Sequence, residues 1–86
     1  MAIQEVDIVK IQDMGLAVAL LCKKFELIDL RQGVGGRMAF CFKQDAELAN
    51  AITAYWNGHL QVSAKDYWAE SKNLKTRLYG VLNNGR

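Results

Sequence analysis

The segment "LRQGVGGRMAFCF", residues 30–42, carries three of the chain's seven glycines, at Gly33, Gly35 and Gly36. Such a cluster belongs either to a phosphate-binding loop or to a turn. A phosphate-binding loop needs a helix directly after it, so that backbone N–H groups and the helix dipole point at the anion. Here an apolar and aromatic run, "MAFCF", follows instead. The segment therefore predicts a β-hairpin with a loop of about four residues at 33–36, where glycine tolerates positive φ.

The two strands of this hairpin, "FELIDLR" at 25–31 and "RMAFCFK" at 37–43, are apolar on both faces. With a four-residue loop, one face holds Phe25, Leu27, Asp29, Phe40 and Phe42, and the other holds Ile28, Leu30, Ala39 and Cys41. A one-residue change in loop length moves the side chains of one strand to the opposite face, and neither register leaves a polar face. Both faces therefore need a cover, either from helices or from a second chain. Because one layer of helices covers only one face, we expect a homodimer.

Upstream of the hairpin, "EVDIVKI" at 5–11 predicts a short strand, because it is rich in β-branched residues. Asp13 then stands where an N-cap belongs, before the apolar helix "MGLAVALLC" at 14–22. Apolar residues surround this helix, so we expect it to be buried on most sides. It is too short to span a membrane, which needs about 20 residues.

Two helices are predicted downstream, at 45–58 and 62–84. The first ends at Gly58, which suits a left-handed cap, and the second begins with a capping box made by Ser63 and Asp66. Their apolar faces comprise Leu48, Ala51, Ile52 and Tyr55 on the first helix, and Tyr67, Ser71, Leu74, Leu78 and Val81 on the second. The predicted fold is α+β in the order β-α-β-β-α-α, one small domain over 1–86 with three helices in one layer against the sheet.

The composition is that of a folded soluble domain, with 51% hydrophobic residues, 23% charged residues and a net charge of +2. The near balance of charge does not mark the whole chain as a nucleic-acid-binding protein. Cys22 and Cys41 fit neither a metal pattern nor a disulfide framework, so we expect free thiols in a reducing cytoplasm. His59 is the one histidine, and the acids are scattered. We therefore expect no catalytic set, no metal site and no cofactor.

The last helix carries a basic-aromatic flank, which at about 100° per residue brings five residues together. They are Lys65, Trp68, Lys72, Lys75 and Tyr79. Interleaved aromatic and basic residues can stack on bases and hold phosphates. Alternatively, Trp68 and Tyr79 pack at the edge of the core while the lysine stems cover them, and this is the expectation that we favour.

The chain also resembles a family of short bacterial and phage proteins, domain of unknown function 5659, over about residues 8–80. The resemblance lies in the order of "IQDMGLAVALLCKKFELIDL", "GRMAFCF", "AYWNG", "VSAKDYW" and "NLKTRLY". The sequence departs from the family pattern at Val18, where alanine is usual, at Lys24, where glycine is common, and at Met38, where valine is usual. The family has no assigned activity, so it transfers no functional residue.

Two functions follow as expectations. The preferred one is a non-enzymatic binding or accessory protein that acts through protein–protein contacts, in the phage or mobile-element setting that the resemblance implies. The alternative is a small nucleic-acid-binding regulator that uses the basic-aromatic flank. In both cases we expect a cytoplasmic protein without membrane contact.

Overall fold

The computed structural model describes residues 7–84, and its elements follow the predicted β-α-β-β-α-α order. They are β1 (Ile8–Ile11), α1 (Met14–Cys22), β2 (Leu27–Gln32), β3 (Met38–Lys43), α2 (Leu48–Trp56) and α3 (Ala64–Asn84). The strands form an antiparallel sheet in the order β1-β3-β2, so the second hairpin strand lies at its centre. The first two residues of the predicted strand 5–11 lie outside the described residues. The prediction of a small α+β domain is confirmed.

Helix α1 begins as the sequence predicts. The Asp13 carboxylate accepts a hydrogen bond from the Leu16 N–H at 2.8 Å and so satisfies one of the free donors of the first turn. All residues from Leu16 to Leu20 are buried. Helix α1 contacts both other helices and β1, which makes it the centre of the helical layer.

The end of α1 is a Schellman motif with an unusual residue at its left-handed position. The Phe25 N–H donates to the Leu20 carbonyl at 3.1 Å, and the Lys24 N–H donates to the Leu21 carbonyl at 3.0 Å. Lys24 has a φ of 70°, the one positive value that a residue other than glycine adopts among residues 7–84. Helix α2 ends in the same way at Gly58, with a φ of 75°, which confirms the predicted cap.

The glycine cluster forms the predicted hairpin turn. The Gly33 N–H donates to the Arg37 carbonyl at 2.6 Å, and a short 3₁₀ turn at Val34–Gly36 lies between them. The two glycines inside this turn have φ angles of 75° and 80°. Gln32 consequently pairs with Met38, one residue beyond the pairing that a four-residue loop would give.

This longer turn changes the predicted faces of the hairpin. Leu30, expected beside Cys41, pairs with Phe40 instead, and Asp29, expected beside the phenylalanines, pairs with Cys41. The physical reason is the alternation of side chains along a strand, because one added loop residue exchanges the two faces. The exchange puts leucine in the core and aspartate on the outer face.

At the end of the hairpin far from the turn, a β-bulge restores the side-chain faces that the sequence predicted. The register shifts between Leu27 and Asp29, so that Leu27 pairs with Phe42. The bulge therefore lets β2 place both of its leucines on the face of β3 that carries the phenylalanines. The Asp29 carboxylate also accepts from the Leu30 N–H at 2.9 Å.

The core lies between this sheet face and the three helices. Its buried members are Ile11, Leu16, Ala17, Val18, Leu20, Phe40, Phe42, Leu48, Ala51 and Leu74. Helix α2 begins at Leu48 rather than at 45, because Asp45 forms a turn in which its carboxylate accepts from the Glu47 N–H at 2.8 Å. The predicted stripe of α3 faces inward as far as Leu78, whereas Val81 is 39% exposed.

The outer sheet face does not have the apolar character that the sequence led us to expect. At its centre Ala39 and Cys41 are buried, and Cys41 lies between its cross-strand partners Lys10 and Asp29. Arg31 pairs across from Ala39 and forms an ion pair with Asp29, with Nε 3.0 Å from the carboxylate. This face therefore gives no reason to expect a homodimer, and the oligomeric state stays a prediction.

Candidate functional site

The five residues of the basic-aromatic flank lie together on the solvent side of α3. All five are exposed, with Trp68 at 63% and Tyr79 at 60%. The preferred expectation, that both aromatic rings pack at the edge of the core, is therefore wrong. The rings and the three lysines, Lys65, Lys72 and Lys75, form one continuous strip on the surface.

The position of the strip follows from the helical period. Leu74 is fully buried and Tyr67 is half-buried, so the side of α3 that carries them faces the core. The five flank residues occupy about 80° of the helix surface, and the centre of this arc lies about 130° around the helix from Leu74 and Tyr67. At about 1.5 Å per residue, Trp68 and Tyr79 lie about 16 Å apart along the helix axis.

A cation–π contact organises one end of the strip. The Lys72 Nζ lies 5.6 Å from the centroid of the Trp68 ring. At an exposed site this contact stabilises the pair by about 0.5–1 kcal/mol. It holds a positive charge against an exposed indole ring.

The acids of α3 lie away from the strip. By the helical period, Asp66 and Glu70 lie about 140° and 180° around the helix from the centre of the flank. Both carboxylates are near enough to α1 to raise the pKa of the Cys22 thiol. Burial is the larger cause of that raised pKa, and the nearby Lys23 and Lys24 act against it. Helix α3 therefore separates its charges, with carboxylates toward α1 and three ammonium groups on the solvent side.

Trp56 is an exposed aromatic residue that the sequence analysis did not single out. It is 61% exposed at the end of α2, and its ring meets that of Tyr55 edge to face at 5.0 Å. The helical period of α2 could have predicted this exposure, since Trp56 lies one residue after Tyr55, the last member of the buried face, and so points about 100° away from it.

A polar cluster joins the three helices at the start of α1. A β-carbon on Gly15 would lie 2.7 Å from the Tyr55 hydroxyl and 3.5 Å from the Tyr67 hydroxyl. The pKa of Tyr55 is raised mainly by burial, and also by the Asp13 charge and by a hydrogen bond to that carboxylate. The missing side chain at Gly15 thus makes room for a tyrosine that binds the N-cap residue of α1. This cluster fixes the packing of the helices.

Among the clefts formed by residues 7–84, two have linings that mix acidic and basic side chains and so favour neither sign of charge. The larger, about 440 Å³, lies beside the end of α1, and its lining is Lys23, Lys24, Phe25, Glu26, Lys43, Asp45 and Glu47. Three lysines there face three acids. The smaller, about 350 Å³, lies between β2 and the end of α3, and its lining is Ile28, Asp29, Leu30, Arg77, Gly80 and Val81.

The reactive side chains are dispersed. Cys22 and Cys41 are not joined by a disulfide and are half-buried and buried respectively, and His59 is exposed after the end of α2. Within residues 7–84 no three histidine, cysteine, aspartate or glutamate residues come together as metal ligands. In the same part of the chain no helix has the length and apolar character to cross a membrane.

Comparison with known proteins gives one family. Neither a curated protein nor a solved structure matches the chain. A family model matches residues 7–80, which span every element from β1 to most of α3. The chain therefore belongs to the family described as domain of unknown function DUF5659.

Proposed function

We propose that this domain is a non-enzymatic binding module and that the basic-aromatic flank of α3 binds an anionic partner. The observation that carries the proposal is the exposure of Trp68 and Tyr79 on the same side of α3 as three lysines. Large aromatic rings that a fold does not bury are typical of binding surfaces. The lysines give that surface its preference for negative charge.

Electrostatics and packing support the same surface. Asp66 and Glu70, the acids of α3, lie on a different side of the helix from the three lysines, so neither stands one turn away from a flank lysine, where it could pair with that charge. The outer sheet face, by contrast, carries an internal ion pair between Asp29 and Arg31. The flank is therefore a better candidate than the sheet for contacts with a partner.

The test measures binding of fluorescently labelled polyanions by anisotropy, with a heparin oligosaccharide and a mixed-sequence single-stranded oligonucleotide as probes. We expect Lys72→Glu with Lys75→Glu to abolish binding. The matched control is Lys23→Glu with Arg77→Glu, two exposed residues away from the flank. Both pairs change the net charge from +2 to −2, two units per substitution.

The control separates a defined surface from a general charge effect. If both double variants lose binding equally, net charge governs the interaction and the flank is not a binding surface. If wild type binds neither probe at low salt, the proposal fails. Contacts with a protein partner and the phage or mobile-element setting stay predictions of the sequence analysis.

A further inference from the structure

The geometry points to single-stranded nucleic acid as the partner of the basic-aromatic flank, bound by stacking of its bases on Trp68 and Tyr79. This inference rests on the proposed function and adds the chemical class of the partner. It depends on three features of the flank: the exposed ring surface, the alternation of rings with lysines, and the types of side chain it lacks.

The exposed ring surface favours a flat ligand. Trp68 is 63% exposed although Lys72 lies over its ring, so much of the indole remains open to solvent. Bases offer π faces that stack on such rings whatever the sequence. The carboxylates of an acidic protein would satisfy the lysines but would leave the two rings without a stacking partner.

The alternation of side chains suits a polymer that alternates bases and phosphates. Lys72 and Lys75 lie between Trp68 and Tyr79 along the helix, and Lys65 lies beyond Trp68. The two rings are about 16 Å apart along the axis. A strand that follows the helix can therefore place one base on each ring and phosphates at the lysines between them.

The residue types of the flank argue against duplex. Base edges in a groove are read through paired hydrogen bonds from arginine, lysine, asparagine or glutamine, and of these the flank has only lysine, which also binds the phosphates of a single strand. The flank contributes lysines and aromatic rings, and the faces of paired bases inside a duplex are not accessible to a ring on a helix surface. Single strands expose both bases and phosphates.

The experiment compares three probes of equal length, about eight nucleotides, which lies within the range bound by small single-strand-binding domains. They are an oligothymidylate, an abasic strand with the same number of phosphates, and a G·C duplex, which stays paired at this length. We expect the oligothymidylate to bind at least tenfold more tightly than the other two, since stacking contributes about 5- to 150-fold in affinity per base. With three lysines at the flank, a log–log salt slope of about −2 is expected.

A fluorescence readout assigns the stacking to one ring. The chain has two tryptophans, so a Trp56→Phe variant reports on Trp68 alone, and we expect the oligothymidylate to quench its emission. In the same background Trp68→Leu should weaken anisotropy-detected binding by about 5- to 150-fold, whereas Trp68→Phe should retain most of it.

The outcomes separate this inference from the proposed function. Equal binding of the abasic strand and the oligothymidylate would overturn base stacking while the anionic surface stands. Tighter binding of the duplex would likewise overturn the single-strand assignment alone. If none of the probes and no heparin oligosaccharide binds, both proposals fail.

Discussion

Gly15 offers a sharp test of the packing between the helices, because an added methyl group there has an effect whose sign depends on a second residue. Alanine in place of glycine in a helix usually stabilises a protein, by about 0.5–1 kcal/mol. At Gly15, however, the new β-carbon would lie 2.7 Å from the Tyr55 hydroxyl and 3.2 Å from Asp13 Oδ1. The tyrosine must therefore move, and its hydrogen bond to the Asp13 carboxylate is lost.

The magnitude follows from these two opposing effects. A hydrogen bond to a charged group contributes about 1.5–3 kcal/mol, and we take about 1.5 because Tyr55 is half-buried. Gly15→Ala loses this hydrogen bond, about 1.5 kcal/mol, and gains about 0.5 kcal/mol from the higher helix propensity of alanine. It should therefore destabilise the domain by about 1 kcal/mol. In a Tyr55→Phe background the hydroxyl is absent, and the same substitution should stabilise by about 0.5 kcal/mol once the exposed Asp13 carboxylate moves by the few tenths of an ångström that its 3.2 Å contact requires.

Urea denaturation of the four proteins of this double-mutant cycle, followed by circular dichroism, measures the coupling. We expect about 1.5 kcal/mol, well above the additivity limit of about 0.3–0.5 kcal/mol for independent sites. A change of about 1 kcal/mol also corresponds to a shift of about 4–8 °C in Tm for a domain of this size. An effect of Gly15→Ala with the same sign and size in both backgrounds would refute the contact between Gly15 and the Tyr55 hydroxyl.

Three further perturbations have expected outcomes. Lys24→Gly should raise the free energy of unfolding by about 0.5–1 kcal/mol in urea denaturation, since glycine adopts the left-handed conformation without strain. Lys24→Ala retains the β-carbon and should not raise it. Gly58→Lys should lower the free energy of unfolding by about as much as Lys24→Gly raises it. Because the pKa values of Cys22 and Tyr55 are raised in the folded state, their protonated forms favour folding fully below about pH 8, and this part of the free energy of unfolding is lost as the pH rises through the folded-state pKa values. A Cys22→Ala, Tyr55→Phe variant should lose less stability at alkaline pH, and an unchanged loss would contradict these assignments. Trp68→Ala should change stability by no more than about 1 kcal/mol, whereas a loss of about 3–5 kcal/mol would mean that the ring is buried.

The features that the sequence predicted well are local ones. Asp13 as the N-cap of α1, Gly58 as the left-handed residue after α2 and the glycine turn of the hairpin each depend on a few neighbouring residues. The buried face of α2 followed from its period, because Leu48 and Ala51 recur at helical spacing. Such signals need no knowledge of the rest of the chain.

The features that the sequence did not predict depend on contacts across the fold. The faces of the hairpin were exchanged because the turn is one residue longer than expected, and no local pattern indicated the bulge between Leu27 and Asp29. The approach of Tyr55 to Gly15 joins residues of two helices that are distant in the chain. For the flank, the helical period identified the cluster, but the exposure of Trp68 depended on which side of α3 faces the core.

The residues of α3 that stabilise the fold and the residues of its basic-aromatic flank lie on different sides of the helix. The core draws on α3 through its inward side, where Leu74 is fully buried, while Trp68 and Tyr79 contribute little buried surface. A ring that the fold does not bury adds little to stability, and burial is the main contribution of large aromatic residues. Substitutions on the flank should therefore leave the domain folded, so that any change they cause in binding reports on the surface itself.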